Sequence, residues 1–199
     1  MQTIHTATKV QNQPLQALMR AATPFLRIDG AKPQSWRRNV NTLTKSGKPS
    51  GSRRAQPNRY EAMFTALDDK TWSRLGEVLY FVSDQSGRLR MVGQSSRRLQ
   101  DRWRVSPMHS VEDGSHLGRR SLYHTTGWPA IESSFDTEPP PFTVSALFRA
   151  DLERVCREIG GPLSDALGMP ETKLHKLSYH VEVWIRSLSR SGLDLWNKQ

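Results

Sequence analysis

Four residues, Tyr80, Arg102, Glu182 and Asn197, have side chains that could together act on a phosphodiester bond. Hydrolysis of that bond needs a deprotonated water, stabilisation of negative charge on the phosphate and help for the leaving oxygen. Tyr80 could be a general base or could position the water, provided that nearby positive charge lowers the pKa of its phenol from about 10. The alternative for Tyr80 is an ordinary buried aromatic of a strand.

The other three residues suit phosphate and metal binding. Arg102 would grip a phosphate with its planar guanidinium, or else lie on a solvated helix face. Glu182 would be a hard oxygen ligand for one Mg²⁺ that keeps most of its waters, with Mn²⁺ as a substitute. Its alternative is an ion pair with Arg186, four residues further on. Asn197 would hydrogen-bond the backbone of the site or a phosphate, or else be merely exposed.

The element that must position Tyr80 is a predicted β-hairpin. Residues 78–82 are β-branched and aromatic, and residues 88–94 alternate between apolar and polar after a turn-forming stretch. A serine-capped helix is expected to follow and to reach Trp103. This helix would hold Arg102 next to the edge of the sheet.

The rest of the second half supplies one more strand and several helices. Residues 105–141 are rich in Ser, Gly, Pro and His and indicate a long, mostly irregular insertion. Residues 142–148 predict a third strand, and residues 150–159, 162–167 and 173–189 predict helices, the last of which carries Glu182. We therefore expect an α+β fold with a small three-stranded β-sheet flanked by helices.

The first 75 residues read differently. Residues 13–27 predict a short amphipathic helix, residues 29–57 an extended arm rich in Gly and Pro, and residues 60–67 a second helix with one buried stripe. We expect two parts: a basic N-terminal arm over 1–75 and a catalytic domain over 76–199.

Positive charge is concentrated in that arm. The net charge is +10, and residues 1–75 hold 13 basic and 4 acidic side chains, so +9 of the charge lies there. Clustered Lys and Arg predict phosphate contacts, although a basic solvated surface is the alternative. The candidate DNA-binding residues are Arg37, Arg38, Arg53, Arg54, Arg59 and Arg98.

Several classes of protein fit poorly. The chain has no run of 18 apolar residues that could span a bilayer and no secretory signal at its start, so we expect a cytoplasmic protein without a membrane partner. Its single cysteine, Cys156, cannot form an internal disulfide. Motifs of acyl-transfer enzymes, nucleotide hydrolases and zinc proteases are missing from the sequence.

The order and spacing of several motifs resemble the GIY-YIG nuclease family over about 120 residues. Val78-Leu79-Tyr80 stands at the first motif of that family, and Met91-Val92-Gly93 stands at the second. Arg102 then looks like the family's helix arginine and Glu182 like its metal-binding glutamate. The ending Leu195-Trp196-Asn197 is similar to the close of GIY-YIG restriction enzymes.

Two positions depart from the family pattern. Met91 stands where the family has its second tyrosine, and Ser106 stands where it has a histidine. His109 is the nearest replacement for that histidine, unless it is an ordinary loop residue. Tyr123 and His124 could also reach the site from the insertion.

The resemblance implies a Mg²⁺-dependent endonuclease that cuts double-stranded DNA, sequence-specific and restriction-like or otherwise defensive. A homodimer would match a palindromic site. The alternatives are a homing, mobile-element or toxin nuclease of the same fold, and a DNA-binding protein that lost turnover with the second tyrosine. An RNA-binding or RNA-cleaving module is a weaker alternative, since the extended stretch 29–57 has one aromatic residue, Trp36, for base stacking.

Overall fold

The computed structural model describes residues 13–33, 36–38, 60–110, 116–124 and 128–197, with side chains at 13–33, 60, 62–103 and 130–197. The strands are β1 (Thr23–Pro33), β2 (Trp36–Arg38), β3 (Tyr60–Ala66), β4 (Val78–Ser83), β5 (Leu89–Ser95), β6 (Trp103–Ser110), β7 (His116–His124) and β8 (Phe142–Phe148). The helices are α1 (13–21), α2 (Asp69–Ser73), α3 (Leu99–Arg102), α4 (Trp128–Ser134), α5 (Arg149–Ile159), α6 (Pro162–Gly168), α7 (Leu177–Ser187) and a 3₁₀ turn (Leu188–Ser191).

The fold is α+β, as the sequence predicts, but its main sheet is larger than expected. This sheet has five strands in the order β3-β1-β8-β4-β5, and all neighbouring pairs are antiparallel. The predicted hairpin is β4 and β5, and the predicted third strand is β8. The prediction of three strands was wrong because β1 and β3 extend the sheet beyond β8.

Helices and loops cover both faces of this sheet, which explains why β4 is buried along almost its whole length. On one face, Leu79 and Phe81 join a core with apolar residues of α1, α5, α6 and α7. On the other face, Val78 and Tyr80 join a second core with Leu99 and Trp103. Successive residues of β4 therefore alternate between the two cores.

Residues assigned by the sequence to the N-terminal arm take part in the main sheet. Residues 60–67 were predicted to be a helix, but β3 occupies most of them and pairs with β1. Phe25 and Ile28 of β1 are buried in the same core as Tyr80. The expected boundary between residues 75 and 76 thus falls between strands of one sheet. Whether residues 1–75 bind DNA stays a prediction.

The predicted irregular insertion contains regular elements. Strands β6 and β7 pair with each other, and β2 pairs with β6, which gives a second sheet in the order β2-β6-β7. Helix α4 follows, and its Ile131 is fully buried against the main sheet. Among the described residues, no helix is both long enough and apolar enough to cross a membrane.

Candidate active site

Tyr80 and Gly93 form the base of the candidate site. They lie directly opposite each other on β4 and β5, so both face the same side of the sheet. A Cβ on residue 93 would lie 2.3 Å from the Tyr80 hydroxyl oxygen and 2.4 Å from its Cζ. The end of the phenol ring therefore occupies the space that a side chain at 93 would need. Gly93 is required because Tyr80 lies across it.

Helix α3 brings Arg102 to the Tyr80 hydroxyl. The helix is fixed by Leu99 and Trp103, which are both fully buried. The Trp103 ring packs edge-on against the Tyr80 ring, with 5.8 Å between centroids and 76° between planes. Arg102 Nε donates a hydrogen bond of 3.2 Å to Tyr80 Oη. The predicted pair of tyrosine and arginine is thus in direct contact.

The electrostatics of Tyr80 differ from the expectation. Burial raises the pKa of the Tyr80 phenol to about 12, although Arg102 opposes the shift through its charge and its hydrogen bond. A general-base role required nearby positive charge to lower this pKa, and that condition is not met, because the loss of hydration outweighs the charges of Arg102 and Arg186. At neutral pH the phenol is protonated, so Tyr80 is suited to donate a hydrogen bond and poorly suited to act as a base.

Helix α7, which carries Glu182, is held in place from β4. Glu77, just before that strand, accepts a hydrogen bond of 2.7 Å from the backbone N–H of Ser178 in the first turn of α7. The same carboxylate pairs with Arg149 at 2.9 Å. Because the first N–H groups of a helix have no partner within it, this bond fixes where α7 begins relative to the sheet. Leu177, Val181 and Ile185 then bury the inner face of the helix.

Glu182 lies one turn along α7 from Ser178, and only 13% of its side chain is exposed. Burial raises the pKa of its carboxyl, and the charges of Arg186 and Arg102 oppose the shift. The charge of Glu182 in turn raises the pKa of Tyr80. Glu182, Arg102 and Tyr80 therefore share one electrostatic environment, although 102 residues separate Glu182 from Tyr80 in the sequence.

The C-terminal segment, residues 194–197, lies along the outer edge of β5. The backbone N–H of Trp196 donates to the Arg90 carbonyl at 2.6 Å, and Asn197 Nδ2 donates to the Val92 carbonyl at 2.7 Å. The Trp196 ring packs edge-on against Phe142, with 4.9 Å between centroids. Asn197 therefore bonds to the backbone beside Gly93, which is one of the two roles that the sequence suggested for it.

Arg186 joins Glu182 to Asn197. Its Nη1 lies 3.6 Å from Glu182 Oε1, and its Nη2 donates to the backbone carbonyl of Asn197 at 2.9 Å. The sequence offered the ion pair as an alternative to a metal role for Glu182. The pair is present, and it leaves the metal role open. Nothing in the sequence indicated the contact between Arg186 and Asn197, because that contact depends on where the C-terminal segment lies in the fold.

The oxygen atoms of the site suit one hard cation. Among the described residues no three His, Cys, Asp or Glu side chains form a metal-binding group. Glu182 supplies one carboxylate, and the buried Oδ1 of Asn197 accepts no hydrogen bond from a described residue. Mg²⁺ is commonly bound through one or two carboxylates, with water and substrate phosphate completing its shell. Glu182 and Asn197 are therefore the residues that would hold such a cation, with Glu182 as its main protein ligand.

Other predicted residues are described in part. His109 lies in β6, and its backbone is paired with Arg37 of β2 on one side and His116 of β7 on the other. Arg38 is paired with Met108 in the same way. The side chains of these residues, and those of Tyr123 and His124, lie outside the described part of the structure. So do Arg53, Arg54 and Arg59 entirely.

Four basic side chains lie on or beside the helices α2 and α3. Helix α2 packs against α3, and these two helices and the turn before α3 carry the exposed Lys70, Arg74, Arg97 and Arg98. None of these four forms an ion pair with a described residue, whereas Arg88, Arg90, Arg149, Arg154, Arg157 and Arg186 all do. The guanidinium of Arg74 lies 4.1 Å over the Phe148 ring. We call Lys70, Arg74, Arg97 and Arg98 the basic rim.

Met91, which the sequence resemblance matched to the second family tyrosine, is buried in the same core as Tyr80. It packs as a core residue and supplies no hydroxyl. A cavity of about 360 Å³ lies elsewhere, between α1, the start of β5 and the C-terminal segment. None of the candidate site residues lines that cavity.

Comparison of the chain with protein-family profiles, with curated proteins and with solved structures finds no match.

Proposed function

We propose that this chain is a Mg²⁺-dependent endonuclease of the GIY-YIG type that cuts double-stranded DNA. The observation that carries the proposal is the convergence of Tyr80, Arg102, Glu182 and Asn197, which the order of motifs in the sequence singled out. Tyr80 and Arg102 are in contact, and Arg186 links Glu182 with Asn197. The packing of the fold does not by itself require these four residues to lie in one site, so their proximity supports a shared function.

Each residue would have a separate task. Arg102 would bind the scissile phosphate and stabilise the charge that develops on it. Tyr80, protonated at neutral pH, would donate a hydrogen bond to a phosphate oxygen, and the bond from Arg102 would orient its hydroxyl. The attacking water would lose its proton to solvent. Glu182 would hold Mg²⁺, with Asn197 beside it. The cation, when bound, would supply Lewis-acid stabilisation of the phosphate.

The basic rim supports DNA as the substrate. Its exposed cations form no ion pair with a described residue, although Lys70 lies near the carboxylate of Asp68, and they lie on or beside helices α2 and α3. Contacts of this kind hold a duplex by its backbone and do not read its sequence. Base-specific contacts would come from the N-terminal arm and from the region of β6 and β7. Restriction-like use is our first choice, and homing, mobile-element or toxin use stays the alternative.

The test is incubation of the purified protein with plasmid and genomic DNA, with Mg²⁺ or with EDTA. The matched variants are Glu182→Ala in the site and Glu158→Ala on the exposed face of α5, where Glu158 forms an ion pair with Arg154. We expect Mg²⁺-dependent fragments from the wild type and from Glu158→Ala, and none from Glu182→Ala. Equal cutting by both variants would contradict the site.

The second candidate is a DNA-binding protein without turnover. Two observations favour it: Met91 packs in the core where the family has a tyrosine, and the pKa of Tyr80 is raised to about 12. The same experiment separates the two candidates. Retarded DNA that stays intact with Mg²⁺ and with Mn²⁺ would indicate this second function.

A further inference from the structure

The guanidinium of Arg186 makes its shorter contact with Asn197 in the C-terminal segment and its longer contact with Glu182 on the same helix. Nη2 and Nε donate to the backbone carbonyl of Asn197 at 2.9 Å and 3.3 Å. The distance from Nη1 to the Glu182 carboxylate is 3.6 Å. A simple ion pair between residues four apart on a helix would involve the carboxylate alone. Here the stronger hydrogen bonds go to the C-terminal segment.

Arg186 and Glu182 are partly buried, which strengthens the interactions between them. Its side chain is 27% exposed and that of Glu182 is 13% exposed, so the pair is partly removed from water and less screened than a surface pair. Asn197 also bonds Val92 through its side chain, so the residue is held from two sides. Arg186 thus lies where the helix with the proposed metal ligand meets the segment that closes the edge of β5.

We propose that Arg186 is a positioning residue, which holds the carboxylate of Glu182 and the backbone of Asn197 in a fixed relation through one guanidinium. The inference rests on the proposed nuclease function for its effect on cleavage, but not for its effect on the C-terminal segment. The planar fork of arginine can serve both partners at once, which a lysine ammonium cannot do with the same geometry. Loss of such a supporting contact typically costs about 10- to 100-fold in metal affinity or activity.

The experiment compares Arg186→Met, Arg186→Lys and the control Arg190→Met in the full chain. Arg190 lies four residues further on, is exposed and forms no ion pair with a described residue. The first readout is amide hydrogen exchange of the C-terminal peptide, which contains the Trp196 N–H bonded to Arg90. The second is cleavage as a function of Mg²⁺ concentration. Thermal unfolding of each variant monitors the whole fold.

For Arg186→Met we expect exchange at Trp196 to become roughly 10-fold faster or more, with little change in the peptides of β4 and β8. We expect kcat/KM to fall by about 10- to 100-fold and half-maximal cleavage to need more Mg²⁺. Arg186→Lys should recover part of both losses, and Arg190→Met should resemble the wild type. A purely structural role would instead accelerate exchange across the whole sheet and leave the Mg²⁺ dependence unchanged.

The two possible failures are distinguishable. If the wild type cuts no DNA, the proposed function fails, and local protection of Trp196 still decides whether Arg186 holds the segment. If Arg186→Met shows the same exchange rate at Trp196 and the same cleavage as Arg190→Met, the positioning role is overturned. The proposed nuclease function is then unaffected.

Discussion

The hydroxyl oxygen of Tyr80 lies 2.3 Å from where a Cβ of residue 93 would be, so the tyrosine can keep its position only beside a glycine. The clash involves the end of a ring that is fully buried and already packed against Trp103. Neither the ring nor the strand can move away without disturbing the core. The glycine is thus part of the geometry of the site as well as of the strand.

Gly93→Ala is therefore expected to displace the Tyr80 ring from Arg102. Overpacking of this kind costs about 1–3 kcal/mol of stability, and cleavage should fall further than the folded fraction does. The control is Gly168→Ala at the end of α6, where a Cβ would meet nothing within 4 Å. Denaturant unfolding and cleavage rates of the two variants check the prediction. A Gly93→Ala protein with the stability and activity of Gly168→Ala would contradict it.

Glu182→Gln should separate stability from activity. Burial raises the pKa of Glu182, so the folded protein holds this proton more tightly than the unfolded chain does. Its ionisation therefore reduces stability as pH rises through the unfolded pKa towards the folded one. Glutamine removes that penalty, so Glu182→Gln should gain stability relative to the wild type as pH rises above the unfolded value of 4.5, while cleavage is lost.

The measurement for this prediction is urea unfolding of both proteins at several pH values, next to a cleavage assay. The loss of a partner for Arg186 works against the gain, but the raised pKa of Glu182 means that burial outweighs both arginines. A difference in stability that is independent of pH would show that Glu182 ionises as it does in the unfolded chain.

The sequence predicted correctly those strands and helices in which the spacing of apolar residues is regular. The β-branched and aromatic run at 78–82 identifies β4, and the alternation at 88–94 identifies β5; these strands carry Tyr80 and Gly93. The helical spacing of apolar residues identifies α5 and α7 in the same way, which placed Glu182. The resemblance to the GIY-YIG motif order chose the candidate residues, and this local periodicity placed Tyr80 and Glu182 on the elements that the fold then brings close together.

The errors arise where pairing with distant strands decides the structure. Tyr60, Met63, Phe64 and Leu67 have helical spacing, yet β3 is an edge strand in which Met63 remains 40% exposed. Its conformation is set by pairing with β1, across more than 25 residues of sequence. Likewise, Gly30 lies within β1 and does not mark a loop. A Cβ at this position would lie 2.3 Å from Met63 Cε on the neighbouring strand.

The carboxylate of Asp84 should contribute to the loss of folding stability at low pH. Burial would raise the pKa of this carboxyl, but hydrogen bonds from the Ser86 hydroxyl and from Arg88 outweigh burial and lower the pKa to about 2. Because the folded pKa lies below the unfolded value of 3.8, the stabilisation is present above pH 4 and is lost as pH falls towards 2. It amounts to about 2 kcal/mol.

Asp84→Asn should therefore be less stable than the wild type at pH 6 and should approach the wild type near pH 2. Asp165→Asn, at an exposed position of α6, is the control. Thermal unfolding between pH 2 and pH 7 provides the comparison. If the deficit of Asp84→Asn were the same at both ends of this range, its carboxylate would not be the source of the acid sensitivity.

The basic rim makes a prediction that does not depend on cleavage. Lys70, Arg97 and Arg98 lie on the side of the sheet that also carries Trp72, Leu99 and Tyr80. Replacement of all three by glutamine removes three positive charges beside Arg102 and leaves the buried core intact. Each lost phosphate contact should reduce the slope of log Kd against log salt by about 0.9.

The charge-matched control replaces Arg20, Lys173 and Arg190, which are exposed and form no ion pair with a described residue. Arg20 and Arg190 lie on elements that pack against the opposite face of the sheet. Binding of one duplex is then measured from low to high salt in the presence of EDTA. A loss of slope confined to the Lys70, Arg97 and Arg98 variant would assign the DNA contacts to this face, because both variants have the same net charge. Equal losses would mean that DNA responds to total charge alone, and the basic rim would then have no part in orienting a duplex over Arg102.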